Sequence, residues 1–512
     1  MGYNTHMKTI KIYNLIKLDK AHQIYFFSLS IMSLLYILPI ILADRYYNDD
    51  LSRSLIGASG WNGDGRPLTE RIMLAINFGR PVADISPFPL ILSAIILSYC
   101  ITLYIKHNLP LTKNKSVFFI LLFAGFLVIS NPFLIADLSY KYDCLTMVLS
   151  VCLAFLAYSF SLSGIMLNLI MNLCCVLMIL CLFQPSIGLY ASLFFLEPFI
   201  IMVHKRSSVK QAVKSVSVMR IAGGLTAVII YIYVIAPFFV DNTGWRANAS
   251  KISVSFNTIT SKLDNILFVI KRYVFGLPKS ALFPFILLLL ISFISLVVYS
   301  IVADTLFKNR FLYIVYILFL PVIMFFAGIA PLLVLKNAQI NDHVLTGLCA
   351  VTPFILGIAA FYTQGFFKKL VIILIIPCII FKYSYIYAYS SALKSQKNYE
   401  SFIVQNVAES IQKEDIQKEC NLIGVSYYMP KSRQLQTLCD KYPQFQAIVP
   451  VYMYGENWIG TSYLNHYLQQ QLMFEELNKN DMAFIEDNEP FSDNSIYSLY
   501  RNDNKILLIF RQ

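Results

Sequence analysis

Charged side chains are scarce in this sequence. Asp, Glu, Lys and Arg make up 14% of its 512 residues, whereas hydrophobic residues make up 57%. Soluble domains carry about 25% charged residues. The deficit excludes an ordinary soluble protein and indicates an integral membrane protein. We therefore expect the net charge of +12 to reflect basic cytoplasmic loops and contacts with membrane lipids, and we expect no nucleic-acid partner.

Metal-binding motifs and internal repeats are also missing. The sequence has no HExxH or CxxC motif, and its six histidines are scattered. We therefore expect no metal site and no other cofactor; a divalent cation is chemically possible but has no support in the sequence. An internal repeat, which is common in transporters, is absent too.

Apolar segments dominate what is present. A helix needs about 20 apolar residues to cross a bilayer. Eleven segments come close to that length: 22–43, 87–105, 117–136, 144–160, 165–183, 186–203, 221–240, 281–302, 312–330, 345–362 and 370–389. The sequence thus predicts an α-helical polytopic membrane protein with about 11 transmembrane helices.

The charges in the loops predict the orientation. The loops 1–21, 106–116, 204–220, 303–311 and 363–369 together hold 16 Lys and Arg but only two acids. The positive-inside rule places these loops, and with them the N-terminus, in the cytoplasm. The loop 44–86 and the C-terminal segment would then lie on the opposite, periplasmic face of a bacterial inner membrane.

The composition changes near residue 390. We predict a transmembrane region over 1–389 and a small α/β or α+β periplasmic domain over 390–512. In that domain "QKNYESFIVQNVAESIQKED" has helical spacing, "NLIGVSYY" and "AIVPVYMY" are typical of strands, and "IYSLYRNDNKILLIF" of a hairpin. Cys420 and Cys439 could form a disulfide in an oxidising compartment, the alternative being two free thiols.

The loop 44–86 has the highest density of chemically useful side chains. Asp49 and Asp50 follow the first apolar segment within a few residues, and a carboxylate there could deprotonate a sugar hydroxyl. The five cations of the loop are all arginine, whose planar guanidinium binds phosphate through two hydrogen bonds. The alternative is a solvated loop whose acids and arginines pair with each other.

Three segments carry a resemblance to a known family. They are "DRYYNDDLSRSLIGASGWNGDGRPLTERI" with the following "DISPFPLIL", then "NPFLIADLSYKYDCLTMVLS" (131–150), and "LFQPSIGLY" (182–190). Together they resemble the multi-spanning O-antigen glucosyltransferases of phage serotype conversion. The resemblance implies a GT-C glycosyltransferase that takes a hexose from a polyprenyl-phosphate donor and attaches it to a lipid-linked polysaccharide. It also implies partner proteins that make and flip the donor.

The resemblance also implies where the catalytic acid stands. GT-C enzymes place it in the loop after the first span, where Asp49 and Asp50 match, and nothing in the sequence decides between the two. We expect an inverting reaction, because one base suffices for a single displacement. For the same loop we predict Arg53, Arg66 and Arg71 as ligands of phosphate or sugar, and Trp61 as a stacking surface for a sugar ring.

Further candidates lie outside that loop. We predict that Asp143 holds sugar hydroxyls and that Lys141 meets the donor phosphate, the alternative being that Lys141 pairs with an aspartate of its own segment. Glu197 lies within an apolar segment, where an ionisable residue is a functional candidate by default. Lys382 also lies in such a segment and is expected to extend toward the membrane surface.

Two other functions remain as alternatives. Glu197 and Lys382 favour a transporter or flippase for lipid-linked sugars, and the arginine-rich outer loops fit a polysaccharide polymerase. The basic segment 241–280 predicts an amphipathic helix at the membrane interface, which could gather the donor phosphate or simply contact anionic head groups.

Overall fold

The architecture is known from a computed structural model. It describes residues 16–109, 111, 114–160, 165–205, 209–240, 251–253, 255–302, 310–351, 353, 363–413, 419–454 and 458–511. The helices of the first part are α1 Lys20–Ala43, α2 Asp50–Ile56, α3 Pro67–Ile76, α4 Phe88–Asn108, α5 Lys115–Ile129, α6 Pro132–Ser139, α7 Cys144–Ser159, α8 Ile165–Leu182, α9 Ile187–Lys205 and α10 Val209–Ile230. A π-helical turn, Tyr231–Ile235, joins α10 to α11 Ala236–Phe239, and then follow α12 Phe256–Phe275, α13 Lys279–Val302, α14 Arg310–Val334 and α15 Gly365–Lys413. Short 3-10 helices occupy Gln184–Ser186 and Asp342–Leu348.

Within these ranges, eight helices are long and apolar enough to cross a membrane, and a ninth span results if the bent pair α5 and α6 is counted. The eight agree with eight of the predicted segments. The predicted span 144–160 corresponds to α7, which at 16 residues is shorter than the usual span of about 20. The predicted span 345–362 begins in a 3-10 helix, and 354–362 lie outside the described residues. The prediction of about 11 spans is therefore confirmed only for eight or nine.

The predicted span 117–136 is broken because of its own sequence. Helix α5 ends at Ile129, and α6 begins after a bend of 55°. Asn131 caps α6 by accepting a hydrogen bond from the Phe133 N–H at 3.0 Å, and Pro132 has no N–H with which to continue α5. The carbonyl of Ser130 is left without a helical partner and accepts a hydrogen bond from Lys382 Nζ at 2.9 Å. Lys382 thus stabilises the break instead of extending toward the membrane surface.

Three glycines bring two spans and a 3-10 helix into close contact. A Cβ on Gly188 of α9 would lie 2.1 Å from the carbonyl oxygen of Gly328 on α14, and a Cβ on Gly347 would lie 2.2 Å from the same oxygen. Ser192 reinforces the crossing by donating to the Gly347 carbonyl at 3.1 Å. Small residues allow such close approach of helices in membranes. The crossing fixes the 3-10 helix Asp342–Leu348 beside the site described below.

The C-terminal part contains a small sheet with helices. Its elements are β1 Leu422–Ser426, α16 Arg433–Lys441, α17 Phe445–Ile448, α18 Trp458–Asn465, β2 Met473–Phe474, α19 Lys479–Asp487, β3 Ser492–Asp493, β4 Tyr497–Asn502 and β5 Lys505–Phe510. The strand order is β2-β1-β5-β4-β3; β1 is parallel to β2 and β5, and the other pairs are antiparallel. Helix α15 runs without interruption past residue 390, so it connects the apolar region to this sheet. The strand predicted at "NLIGVSYY" is present as β1, and the predicted hairpin is present as β4 and β5.

For the C-terminal part, one predicted strand is wrong, and the two cysteines follow the second of the alternatives left open for them. The segment "AIVPVYMY" forms no strand: its start belongs to α17, and Tyr454 makes only an isolated bridge to Tyr428. Cys420 and Cys439 are free thiols. They cannot meet because Cys420 packs in the core around the sheet, whereas Cys439 of α16 packs in the core shared with the helical bundle.

The predicted amphipathic helix is present as α12. Ile266, Val269 and Tyr273 are buried against α14, whereas Phe268 and Phe275 are 65% and 80% exposed. Among its basic residues, Arg272 lies 3.8 Å from Asp342. Whether α12 lies on lipid head groups stays a prediction.

Candidate active site in the loop after the first span

The carboxylate of Asp50 joins this loop to the second family-like segment, residues 131–150. Asp50 begins α2 and is 1% exposed. Its Oδ2 accepts hydrogen bonds from the backbone N–H of Tyr47 at 3.0 Å and of Lys141 at 2.8 Å, and its Oδ1 accepts from the N–H of Tyr142 at 3.3 Å. Burial raises the pKa of Asp50 to about 7, although the Lys141 N–H acts against the rise. In this structure Asp50 holds two chain segments together and offers no surface to a substrate.

Asp49 differs from its neighbour in exposure. It is the N-cap residue of α2 and is half-buried, and its side chain makes no capping hydrogen bond. Solvent therefore reaches Asp49 but not Asp50. Tyr140 lies within electrostatic range of Asp49, and Asn48 donates a hydrogen bond to the Tyr140 hydroxyl at 3.1 Å.

A second network surrounds Asp143. Its Oδ1 accepts a hydrogen bond from Trp61 Nε1 at 2.5 Å, and its Oδ2 pairs with Arg66 Nη1 at 2.9 Å. Arg53 covers the Trp61 ring, with its guanidinium carbon 4.2 Å from the ring centroid. Burial disfavours the charge of Asp143, but Arg66 and Arg53 outweigh this and keep its pKa below the usual value. The network brings Trp61, Arg66, Arg53 and Asp143 together as a buried charged group.

The third family-like segment, residues 182–190, also contacts this network. Arg66 Nε and Thr69 Oγ1 both donate hydrogen bonds to the carbonyl of Leu182, at 2.7 and 3.0 Å. Gln184 Nε2 donates to the carbonyl of Gly65 at 3.0 Å. All three segments that carry the family resemblance therefore meet at one place, although they are separated along the chain.

An ionic group at the end of α1 is a further part of the site. Lys141 Nζ lies 2.5 Å from Asp44 and 3.3 Å from Asp84, and Lys397 of α15 lies 3.0 Å from the other oxygen of Asp44. Burial opposes ionisation of Asp44, but the two ammonium groups keep its pKa below the usual value. Lys141 also lies 4.2 Å from the centroid of the Tyr46 ring. Lys141 is thus paired, but with aspartates of the first loop and not with those of its own segment.

Several buried polar atoms beside the network lack a hydrogen-bond partner among the described residues. They include Arg66 Nη2 and both carboxylate oxygens of Asp137, which is 1% exposed and within electrostatic range of Arg66. His343 lies between the rings of Tyr140 and Phe183, 6.4 Å from each centroid. Burial lowers the pKa of His343 to about 4, and the positive charge of Arg66 acts in the same direction. A neutral imidazole and unfilled donors and acceptors give this region the capacity to bind a polar ligand.

The structure does not bring every predicted site residue into this region. Arg71 is exposed on α3, on the solvent-facing side of that helix. Glu197 lies in α9 and pairs with Arg220 of α10 through two hydrogen bonds of 2.7 and 2.9 Å. In the described parts of the chain, no group of three His, Cys, Asp or Glu side chains could hold a metal ion.

Four residues of the region were not predicted from the sequence as site residues. Asp44 is the first acid after α1, which is the signal that could have identified it. His343 and Asp137 lie in or beside apolar segments, where a polar residue is itself a signal. Lys397 carries no local signal, because its partner Asp44 is distant along the chain.

Comparison with known proteins identifies the family. The model of the glucosyl transferase GtrII family matches residues 38–354. The chain belongs to the GtrII family. The match begins in α1 and extends beyond the 3-10 helix Asp342–Leu348, so it includes all three segments that meet in the site. The resemblance stated from the sequence is confirmed.

A relative and the solved structures complete the comparison. The chain is 31% identical over 240 residues to an uncharacterised 55.3 kDa protein in the gtrB 5′ region of Salmonella phage P22. That alignment covers 46% of this GtrII family chain and 47% of the relative, so it spans about half the length of each. No solved structure matches the chain.

Proposed function

We propose that this GtrII family protein transfers a hexose, expected to be glucose, from a polyprenyl-phosphate donor to a lipid-linked O-antigen or related surface polysaccharide. The observation that supports this proposal is the meeting of the three family-like segments around Asp50, Asp143 and Arg66. We further propose a GT-C architecture in a bacterial inner membrane, with loop 44–86 and the C-terminal domain on the periplasmic face. Other proteins would then make and flip the donor.

The half-buried Asp49 is the proposed general base. A base must come within about 2.6–3.2 Å of the proton that it removes. Asp49 is half-buried and can be reached by solvent, whereas Asp50 is 1% exposed. Asp49 would take the proton of the acceptor hydroxyl as the hydroxyl oxygen attacks the anomeric carbon. The bond from that carbon to the phosphate oxygen breaks, and the polyprenyl phosphate leaves with the electron pair, which inverts the anomeric centre.

Asp50 is then a positioning residue. Its bonds to Tyr47, Lys141 and Tyr142 fix the start of α2, and so the backbone that carries Asp49. The near-neutral pKa of Asp50 follows from its burial and needs no role in proton transfer. This division of roles leaves one base, as a single displacement requires.

Arg66 is the proposed partner of the donor phosphate. Its Nη1 and Nε are engaged by Asp143 and Leu182, but its buried Nη2 has no acceptor among the described residues. A phosphate oxygen could accept from that N–H in a charge-assisted hydrogen bond. Arg53, Arg71 and Lys141 remain proposed ligands of the donor at longer reach.

The two proposed sugar ligands, Trp61 and Asp143, would have to give up present contacts before they could bind a sugar. The Trp61 ring is 0% exposed and is covered by Arg53, so stacking of a sugar on Trp61 would require Arg53 to move. Asp143 would likewise have to exchange a hydrogen bond with Trp61 or Arg66 for one with a sugar hydroxyl. Both roles remain proposals that depend on rearrangement when substrate binds.

Two contacts weaken the argument for a transporter. Glu197 is neutralised by Arg220, and Lys382 donates to the carbonyl of Ser130 at the break between α5 and α6. Both intramembrane charges therefore have partners within the protein, as structural charges do. The family membership also supports transfer chemistry over transport or polymerisation.

The deciding experiment measures the surface polysaccharide of cells that express the chain. The host must supply both donor and acceptor, and sugar composition and linkage are determined for wild type, Asp49→Asn and Asp50→Asn at matched membrane levels. We expect wild type to add a hexose branch and Asp49→Asn to reduce it by at least about 100-fold, the lower range of general-base effects. Asp50→Asn should reduce the branch together with the thermal stability of the purified protein.

Asp487→Asn is the matched control, because Asp487 is exposed at the end of α19, outside the site. It should leave the branch unchanged. An unchanged polysaccharide in the wild-type strain would overturn the transferase proposal. A normal branch in the Asp49→Asn strain would overturn the assignment of the base alone.

A further inference from the structure

A cavity of about 280 Å³ lies between the loop after the first span, α15 and the C-terminal domain. Its walls are rich in aromatic rings: Tyr46, Tyr452, Tyr463, His466 and Tyr467. The volume is close to the lower end of ligand pockets, which begin at about 300 Å³. Helix α15 and the C-terminal residues that line it lie outside the segment matched by the family model.

The cations that line the cavity are neutralised. Arg45 Nη2 lies 2.6 Å from a carboxylate oxygen of Glu400, and both side chains are buried. Lys397 Nζ lies 3.0 Å from Asp44. An anionic ligand such as a phosphate would find no uncompensated positive charge from these two residues. The lining therefore suits a neutral ligand.

One buried donor in the lining lacks a partner. Arg45 is 5% exposed, and its Nε has no hydrogen-bond acceptor among the residues that the structure describes. A buried N–H without an acceptor is unfavourable. A hydroxyl or ring oxygen of a bound molecule could accept this hydrogen bond. This Nε is shielded from solvent, so a ligand could reach it only if Arg45 moved, but the lining also includes the polar side chains of Ser401 and His466.

The cavity adjoins the helix that begins after the proposed base. Leu51 lines it and lies two residues after Asp49. His466 Nε2 lies 3.1 Å from Ser54 Oγ, and the His466 ring is nearly parallel to the Tyr46 ring at an interplanar angle of 13°. A ligand in the cavity would therefore lie beside α2, where an acceptor has to approach Asp49.

We propose that this cavity binds one sugar unit of the neutral acceptor polysaccharide. The inference rests on the proposed function, because it identifies the acceptor side of the same reaction. Sugar rings have C–H groups that pack on aromatic faces and hydroxyls that pair with polar side chains, and the cavity offers both. Residues from the C-terminal domain would thus take part in recognising the acceptor.

The test measures binding without turnover. The purified full-length protein in detergent is titrated with oligosaccharides released from the unmodified host polysaccharide, and separately with polyprenyl phosphate. His466→Ala and Tyr467→Ala remove two rings at the cavity rim. Each should raise the oligosaccharide Kd about tenfold, as expected for one lost aromatic contact, and leave the polyprenyl phosphate Kd within about twofold. Tyr428→Ala is the control, since Tyr428 is 66% exposed elsewhere on the same domain.

The outcomes separate this inference from the proposed function. Unchanged oligosaccharide Kd values in both folded rim variants, or no binding by the wild type, would overturn the acceptor site. Weaker binding of polyprenyl phosphate alone would also overturn it and would assign the cavity to the donor. Oligosaccharide binding that depends on both rings in a protein that transfers no hexose would support the site while the transferase proposal fails.

Discussion

Two buried arginines, Arg220 in the helical bundle and Arg66 in the loop site, use their hydrogen-bond donors differently. Arg220 binds both carboxylate oxygens of Glu197, at 2.9 and 2.7 Å. Its Nη1 donates to Asn172 Oδ1 at 2.7 Å and to the carbonyl of Ala157. Every nitrogen of this guanidinium is therefore engaged by the protein.

Arg66 is engaged only in part. Its Nη1 pairs with Asp143 and its Nε with the Leu182 carbonyl, while its Nη2 has no acceptor within the described ranges. The neighbouring Asp137 is buried with both carboxylate oxygens unpaired in those ranges. Buried polar groups are almost always satisfied in native structures, and the exceptions often mark functional sites.

The difference teaches how to separate structural from functional charges in this membrane protein. An ion pair in which every guanidinium nitrogen is engaged, such as Glu197–Arg220, has the properties of a scaffold. A charged group with unfilled donors and acceptors, such as that around Arg66, retains capacity for a ligand. The sequence alone treats both groups alike, because each is simply an ionisable residue near or inside an apolar segment.

The largest effect is expected from breaking the Glu197–Arg220 pair. Arg220→Leu would leave the partly buried Glu197 without its counter-charge, at a cost of up to about 3–5 kcal/mol, the value for a fully buried pair. We expect a much lower level in membranes and a lower unfolding temperature in detergent, measured on purified protein. Arg433→Leu, at an exposed position of α16, is the control and should behave as wild type.

A double variant that replaces both partners tests whether the pair is only structural. Replacing a buried ion pair by apolar residues is often neutral. Glu197→Leu with Arg220→Leu should therefore recover most of the stability lost in Arg220→Leu, and hexose transfer with it. Stable but inactive double-variant protein would instead indicate that the pair takes part in function.

A smaller effect is expected from the glycine crossing that supports the loop site. A Cβ on Gly347 would lie 2.2 Å from the Gly328 carbonyl oxygen, so Gly347→Ala has to push α14 and the 3-10 helix apart. Overpacking of this kind costs about 1–3 kcal/mol, which thermal unfolding would detect. Gly63→Ala is the matched control, because its Cβ would meet only the Gly60 carbonyl oxygen at 3.6 Å. Equal stability of the two variants would mean that the crossing is not tightly packed.

Arg66→Lys tests whether the partly engaged Arg66 binds the donor. Lysine keeps the charge but loses the planar group that binds Asp143, Leu182 and the proposed phosphate together. We expect at least a tenfold loss of hexose transfer, or about 1.4 kcal/mol in the barrier, mostly through the donor KM. Donor titrations of the purified enzyme would measure it. If KM for the donor is unchanged and only stability falls, Arg66 belongs with Arg220 as a scaffold residue.

Hydropathy was sufficient to predict the long spans, because a run of about 20 apolar residues has few other solutions. It failed at 117–136, where Asn131 and Pro132 break the helix within an otherwise apolar run. The hairpin β4–β5 was predictable from alternation and from its turn, in which Asp503 adopts a positive φ of 50°. Local sequence patterns were therefore sufficient to predict these helices and strands.

The site was predictable only as a set of residue types in one loop. The pairing of Asp44 with Lys397 joins positions 353 residues apart, and no local pattern reports such a contact. Nor does the sequence show that Trp61 is fully buried or that backbone N–H groups enclose Asp50. Burial and partner choice are properties of the packed bundle, and they decide which acid a substrate can reach.

The smallest expected effect concerns the pH dependence of stability, and it tests whether Asp50 is a scaffold carboxylate. Burial raises its pKa to about 7 in the folded protein, against about 3.9 for an unfolded aspartate. Between these values the folded state keeps a proton that the unfolded state has released, so raising the pH favours the unfolded state. The loss from pH 6 to pH 7 should be about 1 kcal/mol in the free energy of unfolding. Asp50→Asn cannot titrate, so its unfolding temperature should be lower at pH 6 but change less between pH 6 and pH 7. Identical pH slopes in both proteins would show that the raised pKa of Asp50 does not govern stability and would reopen the choice between Asp49 and Asp50 as the base.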